Sequence, residues 1–299
     1  MVISEVDVEG FRGLKVNVRL KRINIVLGEN GSGKTSFLES IYLSTLFQSD
    51  MNDNDINTSL LYMLSGRGDF LSAFSTLSDS KVKLDDVTTR LKRNDPYSLD
   101  VEINGERVAE ITVKSISLLE IQPMSMSLPI ARIVKRVRTM YSPLYISPFF
   151  DSSGNPEKIY SIAKRKSKDK MRTDLQILQD EYGLFKLYYG TLPVYVMGRG
   201  LLKRELVKLA LISSDIVLID EIENSLHPDL IMEILNDMKR EKLVQVIFTT
   251  HINEVVKMAG KVFDDTEAQV IYLSKAGYKT YKLSEISEFE KPLSWLGYV

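Results

Sequence analysis

A glycine-rich segment at residues 28–35 constrains this chain more than any other feature of its sequence. The segment fits the pattern G-x-x-x-x-G-K-[ST] at every fixed position. Residues 23–27 before it are typical of a short buried strand, and residues 36–47 after it place apolar side chains on one helical face. A strand, a glycine loop and a helix in this order indicate a phosphate-binding loop, because N–H groups at a helix N-terminus face the negative charge. The alternative, a glycine-rich turn that caps an ordinary helix, is disfavoured by the flanking strand and helix.

The loop supplies most of the candidate nucleotide-binding residues. Lys34 is expected to reach the β- and γ-phosphates, and the Thr35 hydroxyl is expected to bind Mg²⁺. The backbone N–H groups of the segment would surround the phosphates. The candidate contacts to the nucleotide in this segment are Asn30, Gly31, Ser32, Gly33, Lys34, Thr35 and Ser36.

The composition excludes several other classes of protein. The chain has 299 residues, no cysteine and a formal net charge of −1. Without cysteine there is no disulfide, no thiolate metal site and no cysteine nucleophile. A net charge near zero provides no global positive field, so any contact with DNA would be local. The sequence has neither an apolar run long enough to span a membrane nor a start typical of a signal peptide, so we expect a cytoplasmic protein.

Hydrophobic periodicity predicts most of the remaining elements. Asn104 and Gly105 predict a hairpin turn between two alternating segments, and residues 11–13 predict a turn between the first two strands. Strands are predicted at residues 2–8, 16–20, 97–103, 108–113, 144–147, 215–220, 244–249, 269–273 and 279–283. Helices are predicted at residues 129–140, 156–181, 201–212 and 228–240.

A second group of candidate residues follows two buried strands in the last third of the chain. Residues 216–219 are aliphatic and run into Asp220 and Glu221, which suggests carboxylates at the end of a parallel strand, where α/β proteins bind ligands. Asp220 is expected to hold Mg²⁺, directly or through water, and Glu221 to accept a proton from the attacking water. The alternative is a buried strand that ends in a solvated acidic turn. His251 ends the next predicted strand, where it could reach the γ-phosphate, although a lone histidine in such a loop is usually structural.

Taken together, these segments resemble the ABC-type ATPases. The resemblance rests on the phosphate loop, on Ile-Asp-Glu-Ile-Glu-Asn-Ser-Leu-His-Pro at residues 219–228 and on Thr-Thr-His at residues 249–251. More narrowly, the chain resembles the OLD-like (overcoming lysogenization defect) branch, which is related to RecF and SMC heads. The resemblance implies an α/β P-loop NTPase fold, an ABC-ATPase-type head with a mixed sheet, an antiparallel β lobe and a helical insertion. It also implies ATP and Mg²⁺ as cofactors, Lys34, Glu221 and His251 as catalytic residues, and Arg12 near the nucleotide base.

Members of this family work as head-to-head dimers, in which a signature segment of one subunit completes the ATP site of the other. The candidate segment is residues 197–204, where Gly198 and Gly200 would offer N–H groups to the partner's γ-phosphate. Many such signatures carry a hydroxyl group that this segment lacks. Arg199 could supply charge instead, as an arginine finger does, or the ATPase could be weak. Purely structural glycines are the alternative. The resemblance also implies that His227 lies between the subunits.

The resemblance implies a single ABC-type ATPase domain over residues 1–299. Residues 1–47 would form the N-terminal β lobe and phosphate loop, residues 48–192 a variable insertion, and residues 193–299 the part with the signature, the acidic strand end and His251. No long heptad run indicates an SMC coiled coil, and no room remains for the nuclease domain of OLD proteins, so an ATPase head alone is expected. The glutamine that usually contacts Mg²⁺ is assigned to Gln122 only as a guess.

Two functions fit these observations. The first is an ATP hydrolase whose dimer opens and closes to drive a partner, and the second is a nucleotide-gated module that hydrolyses little and sequesters a toxin or a nuclease or grips DNA. A metal-dependent nuclease is disfavoured, because no acidic cluster remains once Asp220 and Glu221 are assigned to the nucleotide. The expected partners are a second copy of the chain, a nuclease or toxin and DNA, but no membrane. DNA maintenance or antiviral defence follows by analogy only.

Overall fold

The computed structural model divides the chain into two compact units. It describes residues 2–49, 51–65, 74–77, 79–117, 125–137, 141–152, 155–167, 173–180 and 182–287. The first unit consists of Met1–Val2, Leu20–Leu38 and Ser142–Val299, and the second of Ile3–Arg19 and Glu39–Tyr141. Gln122 lies outside the described residues, so its assignment stays a prediction. Among the described helices, none is both long and apolar enough to cross a membrane.

The elements alternate between strands and helices in the first unit and are mostly strands in the second. In chain order the strands are β1 (Glu5–Phe11), β2 (Leu14–Arg19), β3 (Ile23–Gly28), β4 (Ser80–Leu84), β5 (Val87–Asp95), β6 (Ser98–Ile103), β7 (Glu106–Ser117), β8 (Ser125–Ile133), β9 (Pro143–Ile146), β10 (Leu175–Gln179), β11 (Phe185–Tyr189), β12 (Leu192–Pro193), β13 (Ile216–Ile219), β14 (Gln245–Thr250), β15 (Ala268–Ser274) and β16 (Gly277–Lys282). The helices are α1 (Lys34–Phe47), α2 (Asp53–Ser65), α3 (Asn155–Ser167), α4 (Arg199–Ser213), α5 (Pro228–Arg240), α6 (Asn253–Val262) and α7 (Leu283–Ser287).

A mixed sheet forms the core of the first unit, in the order β16-β15-β3-β14-β13-β9. All neighbouring pairs are parallel except β15 and β16, which form an antiparallel hairpin. The strands β3, β13 and β14 are buried along their whole length, which explains their aliphatic sequences. Because these three strands are parallel neighbours, their carboxyl ends lie side by side at one edge of the sheet.

The helices of the first unit pack an apolar face against the protein interior. α5 begins and ends where the sequence predicts, and α4 begins two residues earlier than predicted. The buried side chains of α5 recur at the spacing of one helical face, which is the pattern that predicts this helix. They are Ile231, Ile234, Leu235 and Met238.

A seven-stranded antiparallel sheet forms the second unit, in the order β2-β1-β4-β5-β6-β7-β8. The predicted hairpin turn joins β6 to β7, and its residues Asn104 and Gly105 have φ values of 51° and 83°. Positive φ at both central residues is the requirement of a type I′ turn, whose twist matches the strands that it joins. The predicted turn between β1 and β2 has the same character, since φ is 49° at Arg12 and 78° at Gly13.

Two helices predicted in residues 48–192 are wrong in whole or in part. The helix predicted at residues 129–140 begins inside β8, which pairs with β7 along its length. The helix predicted at residues 156–181 ends at Ser167, and residues 175–179 form β10, which pairs with β11. Short apolar runs do not distinguish a strand from a helix by periodicity, and here the pairing with a neighbouring strand decides the conformation. The expected helical insertion is therefore largely β structure among the described residues.

The β6–β7 turn gives a direct test of the second unit. We expect Gly105→Ala to destabilise the protein by about 1–2 kcal/mol, because an alanine at φ 83° brings its Cβ close to the following carbonyl oxygen. Urea unfolding of the two proteins measures the difference. Glu106→Ala changes the next residue, whose exposed ion pair with Lys135 contributes little, and should shift the midpoint less. Equal midpoints for Gly105→Ala and the wild type would contradict the turn assignment.

Candidate functional site

The phosphate loop joins β3 to α1 in the first unit. Gly31 and Gly33 have φ values of 77° and 97°, a conformation that glycine adopts without steric cost. At Gly28, a Cβ would lie 2.2 Å from the carbonyl oxygen of Leu273 and 2.7 Å from Ser32 Oγ. Glycine is therefore required by the backbone conformation at Gly31 and Gly33, and by the close approach of β15 at Gly28.

The side chain of Lys34 lies across the loop that precedes it. Its Nζ donates hydrogen bonds to the carbonyl oxygens of Gly28, at 2.7 Å, and Glu29, at 2.8 Å. Burial lowers the pKa of Lys34, while the negative charges of Asp220 and Glu223 act in the opposite direction. The ammonium group of Lys34 therefore lies in the electrostatic field of the acidic residues that follow β13.

The polar atoms of the loop fit a phosphate group. Ser32 is buried, and within the described part of the chain its Oγ makes no hydrogen bond. Thr35 and Ser36 lie half-buried in the first turn of α1, while Asn30 is exposed. Hydroxyl and backbone N–H donors at a helix N-terminus are the groups that hold phosphate in proteins. The loop thus presents donors suited to the triphosphate of ATP.

Asp220 is fixed by hydrogen bonds at the end of β13. The residue is fully buried, its Oδ1 accepts a hydrogen bond from Thr249 Oγ1 at 2.6 Å, and its Oδ2 accepts one from the Tyr145 hydroxyl at 3.3 Å. Thr249 Oγ1 in turn accepts the backbone N–H of Glu221 at 2.7 Å. One threonine on β14 therefore orients both acids that follow β13.

The donor set fits Mg²⁺. This ion binds hard oxygen ligands, usually one or two carboxylates together with phosphate oxygens and water. The carboxylate of Asp220 and the hydroxyl of Thr35 are oxygens of this kind. Asp220 acts electrostatically on Lys34, which immediately precedes Thr35 in the loop.

Glu221 has a backbone conformation that is uncommon for this residue type. Its φ is 48°, in the left-handed region, and Ser225 a few residues later has a φ of 67°. Non-glycine residues in this region are strained and persist where the surrounding structure fixes them, often at functional sites. We refer to residues 221–225 as the acidic loop.

Glu223 is a site residue that the sequence reasoning missed. Its Oε1 lies 2.7 Å from His251 Nδ1 and accepts the backbone N–H of His251 at 2.9 Å. The Glu223 side chain is 5% exposed, whereas that of His251 is 46% exposed. Because an ionised carboxylate only accepts hydrogen bonds, Nδ1 carries the proton and Nε2 is left for another partner. The available signal was that Glu223 is the third acid after β13, but its partner His251 follows a different strand, β14.

The predicted signature segment forms the start of α4, as the sequence indicated. Gly198 is the residue before the first turn, and no side chain among the described residues caps the helix there. A Cβ on Gly198 would meet nothing within 4 Å, whereas a Cβ on Gly200 would lie 2.7 Å from the carbonyl oxygen of Ser225. Close packing therefore explains why position 200 is a glycine. This supports, for Gly200, the alternative that these glycines are structural.

Arg199 makes a two-point contact with Asp151, a residue in the turn after β9 that the sequence reasoning did not select. Its Nε lies 2.5 Å from Asp151 Oδ2, and its Nη2 donates to Oδ1 at 3.0 Å. The guanidinium group also lies 6.0 Å from the ring centre of Phe150. The side chain of Arg199 is 55% exposed, so it remains at the surface of the first unit.

Arg12 and His227 have local partners in the structure. Arg12 lies in the second unit, where its guanidinium pairs with the buried carboxylate of Glu39 at 2.5 Å. His227 is the N-cap of α5, and its Nδ1 accepts the backbone N–H of Asp229 at 3.4 Å. The expected contacts of Arg12 with a nucleotide base and of His227 with a second subunit stay predictions.

Several known proteins are similar to this chain. A family model described as an AAA ATPase domain matches residues 1–189, and an AAA domain model whose description names an AbiEii toxin of a type IV toxin–antitoxin system matches residues 145–257. The DNA replication and repair protein RecF of Shewanella sp. (strain W3-18-1) is 30% identical over 139 residues, which is 43% of this chain and 34% of RecF. RecF of Shewanella piezotolerans is 28% identical over 136 residues, with the same coverage. The match therefore spans about a third of these relatives, at 34% of their length.

Solved structures that match this chain include an SMC head and a RecF protein. An SMC head bound to the C-terminal winged-helix domain of ScpA covers 95% of this chain and 99% of its own, with 13% identity and a TM-score of 0.46. The recombination mediator protein RecF of the RecFOR pathway covers 93% and 98%, with 11% identity and a TM-score of 0.45.

The α/β P-loop NTPase fold predicted from the sequence is confirmed. A phosphate loop between β3 and α1, parallel strands beside it and an acidic strand end two strands away form this fold. The AAA ATPase domain model covers more than half of the residues. This chain therefore belongs to the AAA ATPase domain family.

Proposed function

We propose that this chain binds ATP with Mg²⁺ and hydrolyses ATP. The observation that carries the proposal is the convergence at one sheet edge of a phosphate loop, a buried carboxylate and a carboxylate–histidine pair. These groups follow the parallel neighbours β3, β13 and β14, so the hydrogen-bonded sheet aligns them. Such an edge is where open α/β sheets bind their ligands.

Each group has a role that its surroundings support. Lys34 would neutralise charge on the β- and γ-phosphates, and Asp220 and Thr35 would hold Mg²⁺, which when bound neutralises phosphate charge during the transfer. Glu221 would accept the proton of the attacking water, because its backbone is fixed through Thr249. His251 would contact the γ-phosphate through Nε2, since Glu223 occupies Nδ1. Phosphoryl transfer depends on such positioning and charge.

The proposal includes a second copy of the chain. In the ABC-type arrangement, Gly198, Arg199 and the uncapped start of α4 would approach the γ-phosphate bound by the other subunit. Arg199 is suited to this role because its side chain is exposed and carries a fixed positive charge. The OLD-like branch, a cytoplasmic location and a place in DNA maintenance or antiviral defence also belong to the proposal. The similarity to RecF and to a toxin–antitoxin ATPase domain supports them.

A nucleotide-gated module with little turnover is the second candidate. The observation that favours it is the two-point pair between Arg199 and Asp151, in a segment without the hydroxyl group common in signatures. An arginine that is paired with a carboxylate of its own subunit stabilises a partner's phosphate less than an unpaired arginine would. Such a module would sequester a nuclease or toxin, or grip DNA, when ATP closes the dimer.

The first test is the substitution Glu221→Gln. We expect hydrolysis to fall by about 10²–10⁴-fold, because the amide accepts no proton from water. ATP binding should persist, and size-exclusion chromatography with ATP and Mg²⁺ should show a dimer. Glu254→Gln, an exposed residue of α6, is the matched control and should hydrolyse ATP as the wild type does.

The outcomes separate the two candidates. A Glu221→Gln protein that hydrolyses ATP at the wild-type rate would contradict the assignment of the base. A wild type that dimerises with ATP without measurable turnover would instead select the nucleotide-gated module. Affinity capture of Glu221→Gln with ATP then identifies whether a nuclease, a toxin or DNA accompanies the closed state.

The second test asks whether Arg199 acts across the dimer. Arg199→Ala and Glu221→Gln should each abolish most ATP hydrolysis alone. In a mixed dimer, one site combines an intact Glu221 with the partner's intact Arg199. Because a two-fold dimer has two equivalent sites, an equal mixture should recover about a quarter of the wild-type rate. No recovery on mixing would exclude action in trans, and a fully active Arg199→Ala would exclude the arginine from catalysis.

A further inference from the structure

We propose that Lys203, one helical turn after the start of α4, is a positioning residue. It connects the acidic loop to α4, the helix that begins within the candidate signature segment, in the same subunit. The inference rests on the proposed function, because it concerns how Glu221 is held for hydrolysis. Nothing in the motif pattern singles out this lysine. Its place in the structure does, since a charged side chain lies completely buried beside the acidic loop.

All three N–H donors of the Lys203 ammonium group have partners in the acidic loop. Nζ donates to the carbonyl oxygens of Glu221 at 2.6 Å, Ile222 at 3.2 Å and Asn224 at 3.1 Å. An ammonium group has three donors, so the hydrogen bonds to backbone carbonyls use its full capacity. The contact therefore fixes the main chain of the loop, and with it the left-handed conformation of Glu221.

The first turn of α4 touches the acidic loop at a second point. A Cβ on Gly200 would lie 2.7 Å from the carbonyl oxygen of Ser225, so the helix backbone and the end of the loop are already in close contact. Lys203 binds the carbonyl groups of residues 221, 222 and 224, and Gly200 packs against Ser225 at the end of the loop. Two contacts at different points hold a short segment in orientation as well as in position.

Phe150 supports the same turn of α4 from another side. Its ring is fully buried, and its centre lies 5.5 Å from Lys203 Nζ and 6.0 Å from the Arg199 guanidinium carbon. A cation over an aromatic face is attracted by the negative potential of the ring. Arg199 and Lys203 are one turn apart on α4, so the same ring lies near both of these cations.

The charge of Lys203 is costly to bury and is offset locally. Burial lowers its pKa to about 8, while the carboxylates of Glu223, Asp220 and Glu221 act in the opposite direction. A buried cation is tolerated only with polar partners, and the three carbonyls are such partners. A lysine with no role in the loop would be replaced by an apolar residue at lower cost.

The consequence is a mechanical link within one subunit. A displacement of α4 when its N-terminus meets the partner's nucleotide would be carried by Lys203 and Gly200 to the peptide groups that orient Glu221. Coupling of this kind requires a rigid element that both sites contact, and the first turn of α4 is that element. The occupancy of one ATP site would thus influence the base of the other.

Lys203→Met tests the proposal, because methionine keeps the length of the side chain and removes all three donors. A misplacement of about 1 Å at a catalytic group costs about 10²-fold in rate, so we expect the kcat of ATP hydrolysis to fall by that factor. The affinity of the protein for a fluorescent ATP analogue should change less than about threefold, since the three donors of Lys203 bind the acidic loop. Lys208→Met, at a partly buried lysine of the same helix, is the matched control.

Amide hydrogen exchange gives a readout that does not need hydrolysis. In Lys203→Met the amides of Ile222, Asn224 and Leu226 should exchange faster, while those of β13 and of Lys208→Met keep the wild-type rates. Gly200→Ala should produce the same pattern from the opposite end of the loop, and it serves if Lys203→Met does not fold. Exchange equal to that of the wild type in either folded variant would overturn the proposal.

The combined results separate this proposal from the proposed function. Faster loop exchange with a wild-type kcat would overturn the positioning role, because a loosened loop would then have no effect on Glu221. Faster loop exchange together with the loss of kcat and retained ATP affinity supports it. If the wild type hydrolyses no ATP, the proposed hydrolysis fails. Hydrogen exchange then still tests the contact of Lys203 with the loop, because unchanged loop exchange in Lys203→Met would show that this contact does not hold the loop.

Discussion

The parallel pairing of β3, β14 and β13 is the constraint on which the site depends. Leu27 pairs with Thr250 and Ile219 pairs with Phe248, so the paired segments of the three strands end within two residues of one another. In a buried parallel sheet every backbone donor and acceptor needs a partner from a neighbouring strand, which fixes the register strongly. The phosphate loop, the acidic loop and His251 are the segments that continue from these ends. Their proximity therefore follows from the sheet and needs no separate contact between them.

The site tolerates buried polar groups because they satisfy each other in series. Asp220 accepts from Thr249 and Tyr145, and Thr249 accepts from the peptide of Glu221. Lys203 then donates to the carbonyls of the same loop. An unpartnered group at any of these positions would cost about 1–3 kcal/mol or more. A network of this kind is rigid, and rigidity is what a site that works by positioning requires.

The sequence predicted the features that depend on local pattern. The glycine loop between a strand and a helix, the acidic end of a buried strand and the hairpin at Asn104 each follow from residues that are adjacent in the chain. The sequence could not predict that Glu223 holds His251, that Asp151 holds Arg199 or where Lys203 donates, because these partners are far apart in sequence. The error at residues 129–140 has the same origin, since β8 is a strand through its pairing with β7. Tertiary contacts overrode a local preference there.

The pair between Arg199 and Asp151 does not by itself decide between hydrolysis and gated binding. Its side chains are 55% and 25% exposed, and ion pairs at such exposure typically contribute at most about 1 kcal/mol. A triphosphate with Mg²⁺ offers more charge and more oxygen acceptors than one carboxylate, so a partner's nucleotide would compete well for the guanidinium group. For the proposed function, the decisive difference therefore lies at Glu221, whose carboxylate would receive a proton from water during hydrolysis. On this proposal the anchoring of the acidic loop matters more to turnover than the hydroxyl group that the candidate signature lacks.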